Sequence, residues 1–171
     1  MKYRPYGPLP LGSEPTRALD AHSVACMNSL ALASIPTEQR IRCLLRAQKL
    51  LIVGGDLREH AVQRLREDLE LRDIVHCPTR QSDSSARSFA SQLHAPDILL
   101  VVWVCGLSRT NHGAILHQQC RRLALPWVDC KRIPHPRTLV ADVERLSLVV
   151  ALQARHEFVA RIGHRPVGGA E

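Results

Sequence analysis

The residues with the clearest chemical capacity form one run, Ser108-Arg109-Thr110-Asn111-His112, just after a long apolar stretch. It gathers hydroxyls, a guanidinium, an amide and an imidazole, groups that hydrogen-bond a phosphate, a ribose or a base edge. A second feature is Leu50-Leu51-Ile52-Val53-Gly54-Gly55-Asp56, an apolar strand entering a glycine pair ahead of a helical pattern. The first N–H groups of a helix are unpaired and its dipole favours negative charge, so such a turn receives an anion readily. The pair is neither a dinucleotide fingerprint nor a Walker loop, since Asp56-Leu57-Arg58 follow it and no Gly-Lys-Ser/Thr occurs. The Asp56 carboxylate would repel a phosphate placed directly on it.

Metal and nucleophile chemistry have their own residue types. His112, His117 and Cys120 share one helical stretch, and His117 and Cys120 fall on one face of it. Cys130 and His135 follow the next strand. Zn²⁺ takes such N and S donors tetrahedrally, but this spacing matches no compact metal motif, and no metal is assigned from it. Ser108 or Cys105 with His112 and Asp129 has the composition of a catalytic triad without a G-x-S-x-G elbow. Carboxylates are scattered along helix faces rather than paired. No catalytic residue is assigned, and the balance favours binding over catalysis.

Charge points toward anionic partners. The chain carries a formal net charge of +7, and 20 of its 23 basic residues are Arg, the better bidentate partner for phosphate. A GC-rich genome produces the same bias by writing Arg for Lys. Arg121-Arg122 and Lys131-Arg132, with Arg137, form a basic strip able to meet a phosphate backbone. No helix-turn-helix signature or aromatic interleaving accompanies it.

Periodicity supplies the elements that must position these groups. Residues 1–15, with Pro5, Pro8, Pro10 and Pro15, read as a disordered arm. Residues 16–48 read as a helical hairpin broken at Pro36, packed on the core or serving dimerisation. Strands are expected over 49–53, 72–77, 97–105 and 126–130, and helices over 56–70, 81–94, 110–123 and 138–162. The tail from residue 163 should fray. The continuous apolar run DILLVVWVC at 97–105 is what a strand covered by helices on both faces requires.

Strand–helix alternation implies right-handed crossovers and a parallel sheet. The expected fold is an α/β Rossmann-like three-layer sandwich of about four strands in the order 2-1-3-4. Its topological switch lies between strands one and three, where ligands of open α/β sheets bind at the carboxyl ends. The loops carrying Gly54-Gly55 and Ser108–His112 converge there.

The six cysteines form no C-x-x-C pair, residues 1–15 lack an apolar signal core, and no 18-residue uncharged apolar run occurs. A cytoplasmic location with free thiols is expected.

These segments carry a resemblance. "LLIVGGDLREHAVQRLREDL", "DIVHC" and "APDILLVVWVCGLSRTNHGAILHQQCRRLALPWV" resemble the bacterial domain-of-unknown-function 2325 family over residues 49–146. Gly54 and Gly55 match its glycine turn, Cys120-Arg121 its helical Cys-basic pair, and Pro126 the lead into the last strand. His112 matches its Ser-His element with a gap. The resemblance implies a Rossmann-like fold and a cytoplasmic bacterial protein, and implies no activity.

Three functions follow as expectations. The first is a ligand-binding or sensory module holding a nucleotide or other anion through Gly54, Gly55, Ser108, Arg109, Thr110, Asn111 and His112, possible as a homodimer. The second is a metal-assisted hydrolase or transferase acting on a nucleotide. The third is a nucleic-acid accessory protein using Arg121, Arg122, Lys131 and Arg132.

Overall fold

A computed structural model describes residues 34–56, 58–79, 87–107 and 110–163. The elements run α1 (Thr37–Leu45), β1 (Lys49–Gly54), α2 (Glu59–Asp68), β2 (Asp73–Cys77), α3 (Arg87–Leu93), β3 (Ile98–Val104), a short 3-10 turn (Cys105–Leu107), α4 (Thr110–Arg122), β4 (Trp127–Cys130), α5 (Pro136–Arg145) and α6 (Val149–Gly163). The four strands form one all-parallel sheet in the order β2-β1-β3-β4. This is the Rossmann-like sandwich the alternation of patterns predicts. No helix among the described residues is long and apolar enough to cross a membrane.

The period of two along each strand divides the core. Leu50 and Ile52 of β1 face one side with Leu100 and Val102 of β3, packed against α1, α2, α5 and α6. Leu51 and Val53 face the other with Val101 and Trp103, packed against α3 and α4. One rung runs Val75, Leu51, Val101, Trp127 across the whole sheet. All seven residues of β3 are buried, as its uninterrupted apolar run demands.

Helix α1 belongs to this core. Ile41, Leu44 and Leu45 are buried in the same cluster as Leu139, Val143 and Leu152 of α5 and α6. The rest of the expected hairpin, the Pro-rich arm, residues 81–86 of the helix expected over 81–94 and the tail from residue 164 lie outside the described residues.

Two helix boundaries differ from the periodicity. The expected helix over 56–70 starts at Glu59, and Arg58 occupies its N-cap in an extended conformation without a side-chain cap. The expected long helix over 138–162 is two helices, α5 and α6. At the break, Ser147 has φ 55°, and the Ser147 and Leu148 N–H groups donate back to the Glu144 and Val143 carbonyls. That is a Schellman ending built on serine in the position glycine usually takes.

Candidate functional site

The carboxyl ends of the strands are brought together by close backbone contacts. Gly54 and Gly55 have φ of 90° and 71°, a left-handed turn that residues with a Cβ rarely adopt. A Cβ on Gly55 would stand 2.8 Å from Val104 Cγ1, so this turn presses on the end of β3. His76 Nε2, at the end of β2, donates to the Gly54 carbonyl at 3.1 Å. Beyond β3, a Cβ on Gly106 would lie 2.6 Å from the Lys131 carbonyl oxygen. The loops after β1, β3 and β4 therefore form one rim.

That rim opens into a cleft of about 940 Å³, between α2 on one wall and the β4–α5 loop with α5 on the other. Gly55, Val104, Gly106 and Cys130 lie at the strand ends beneath it. Arg58 and Arg64 line one wall, Lys131 and Arg132 the other. All four are exposed, and none has a carboxylate partner among the described residues. Two of the three acidic lining residues already have partners. Asp142 is bound by Arg145 at 2.8 Å, and Asp129 by His117 Nε2 at 2.8 Å. With Arg145 the lining carries five Lys or Arg side chains against three Asp, so the cleft keeps an excess of positive charge.

The start of α5 adds to this wall. Pro136 opens the helix, and the His135 ring accepts from the Arg137 N–H at 3.3 Å. Cys130 offers no ready nucleophile: burial, then Asp142 and Asp129, push its thiol up to about 11. At neutral pH it is a neutral thiol.

The sequence-predicted site residues separate. Gly55 lines the cleft and Gly54 supports it from behind. Ser108 and Arg109 lie outside the described residues. Thr110 begins α4. Asn111 is exposed in the first turn of that helix and does not line this cleft. His112 is 3% exposed and turned toward α3, its ring edge-on to Phe89 with centroids 6.3 Å apart. Its buried Nδ1 has no hydrogen-bond partner among the described residues. The helix period explains the divergence, because consecutive positions point about 100° apart.

The metal and triad candidates also part. His117 holds Asp129 and stacks on Trp127 at 5.4 Å, while Cys120 is fully buried with its thiol pushed up to about 12, chiefly by that burial. Among the described residues no three His, Cys, Asp or Glu side chains are grouped to hold a metal ion. Asp129 meets His117 rather than His112, so the triad composition has no matching geometry. Cys105 is exposed at the end of β3.

The basic strip divides as well. Arg121 and Arg122 end α4, Arg121 lying over the Trp127 ring at 5.9 Å, whereas Lys131 and Arg132 follow the opposite end of β4. Arg137 is exposed on α5. Sequence reasoning missed Arg58 and Arg64. No residue pattern marks them: only the fold, by turning the start of α2 to the same rim as the loop after β4, sets them opposite Lys131 and Arg132.

Comparison of the chain with family models, with curated proteins and with solved structures finds no match in any of the three.

Proposed function

We propose that this protein is a ligand-binding module, with a sensory or regulatory role, that takes an anionic small molecule in the cleft at the strand carboxyl ends. One observation carries the reading: Arg58, Arg64, Lys131 and Arg132 line that cleft without carboxylate partners among the described residues. Cations gathered in a concavity repel one another, and a bound anion relieves the repulsion. The cleft falls within the size range of small-molecule sites. Its place beside the β1–β3 switch is where open α/β sheets hold ligands. The motif resemblance to the domain-of-unknown-function 2325 family accords with a Rossmann-like scaffold and a bacterial, cytoplasmic setting.

Thermal unfolding in phosphate and in chloride at matched ionic strength tests the reading. A ligand bound only by the folded state stabilises it by about 2.7 kcal/mol at a hundred times its Kd. The midpoint should rise with phosphate in the wild type and stay flat in the Arg58→Ala/Lys131→Ala double variant. Equal midpoints in both salts would sink the proposal.

A further inference from the structure

The two walls of the cleft say more than that the ligand is negative. Arg58 stands at the N-cap of α2 and Arg64 within it, while Lys131 and Arg132 stand on the loop after β4. The cleft, at about 940 Å³, is far larger than one carboxylate or orthophosphate, and its cations stand on both walls. Two or more phosphates on one molecule satisfy both, each with charge-assisted hydrogen bonds to a guanidinium or ammonium. Asp56, a carboxylate on the rim, trims the excess positive charge without removing it.

The lining also says how the ligand is not held. Bases are commonly recognised by stacking on aromatic rings. The chain has six aromatic residues. Phe89 and Trp103 are buried on the α3–α4 side of the sheet. Trp127 is packed by His117 and Arg121, and Phe158 lies under Arg155 on α6. None of these lines the cleft, whose apolar surface comes from Ala61, Val104, Ile133 and prolines. Tyr3 and Tyr6 lie outside the described residues.

We infer that the ligand is an oligophosphate, a small molecule with two or more phosphate groups, held across the cleft by its phosphates and not by a base. This rests on the anion-binding reading above and narrows it.

Calorimetric titration of the full chain with orthophosphate, tripolyphosphate, ATP and adenosine, all at physiological salt, decides the matter. Tripolyphosphate should bind at least about tenfold more tightly than orthophosphate, a difference well within calorimetric resolution. ATP should match tripolyphosphate within about threefold, and adenosine should give no heat. Arg64→Ala and Arg132→Ala, on opposite walls, should each weaken tripolyphosphate by about tenfold, as loss of one charged contact does. Adenosine binding, or ATP binding far more tightly than tripolyphosphate, would establish base recognition and overturn the inference. Equal affinities for orthophosphate and tripolyphosphate would also overturn it while leaving the anion-binding reading intact. No binding by any phosphate would sink both. A single-stranded RNA of about twenty nucleotides that displaces tripolyphosphate with a steep salt dependence would assign these cations to nucleic acid instead.

Discussion

Gly106 and Lys131 approach so closely that a Cβ on the glycine would lie 2.6 Å from the lysine carbonyl oxygen. The obstacle is backbone at the end of β4, which cannot swing aside as a side chain would. This contact fixes the turn after β3 against the loop that presents Lys131 and Arg132 to the cleft.

Gly106→Ala should therefore destabilise the fold by about 1–3 kcal/mol, the usual cost of forcing a methyl group into a filled space. Urea unfolding measures this directly. Because the displaced loop carries Lys131 and Arg132 of the cleft, phosphate affinity should fall in the same variant. A variant as stable as the wild type would show that the two loops are not in register as described.

His112 gives a sharper contrast between sequence and structure. Its ring packs on Phe89 away from the cleft, and its Nδ1, without a partner among the described residues, carries the desolvation cost of a buried polar atom. His112→Leu should leave stability unchanged or raise it by up to about 1 kcal/mol, since an apolar group of similar size incurs no such cost. Tripolyphosphate binding should be unaffected. Loss of binding with an unchanged unfolding curve would return His112 to the site.

The amino ends of the strands hold an acid-sensitive contact. Asp97, entering β3, accepts from Lys49 Nζ at 2.7 Å and pairs with Arg72 at 3.1 Å. The Lys49 hydrogen bond, reinforced by the charges of Lys49 and Arg72, holds its carboxyl below the ordinary value of 3.8. A carboxyl lowered on folding stabilises above its unfolded pKa, and that contribution fades as pH falls through the folded one. The side chain is 35% exposed, so solvent screening keeps the effect to about 1 kcal/mol or less. Asp97→Asn should be less stable than wild type at neutral pH, and the gap should close below the ordinary carboxyl range. A gap that persists at low pH would mean that packing, not charge, is lost.

Much of the scaffold was legible in the sequence, because strands buried on both faces must be continuously apolar and helices must show a stripe. The run from Ile98 to Val104 admits few other readings. The break at Ser147 was not legible, since neither glycine nor proline marks it and the apolar positions on either side keep helical spacing. Glu70 and Ala124 end α2 and α4 in the same left-handed conformation, equally unmarked. For the site, Gly54-Gly55 was legible because its conformation leaves little choice of residue. Arg58 and Arg64 were not, since an arginine facing a cleft and one facing open solvent look alike in a sequence. Their significance depends on Lys131 and Arg132, brought across from beyond β4.

Helix α1 buries Ile41, Leu44 and Leu45 against α5 and α6, which begin about ninety residues later. A nine-residue helix has little stability in isolation. On a ribosome, α1 would emerge long before the elements it packs on, and those apolar side chains would stay uncovered until α5 and α6 had been made. Closing that last seam joins segments far apart along the chain, the kind of contact that slows folding. The window before closure is when a chaperone or a misfolding encounter would find this protein open.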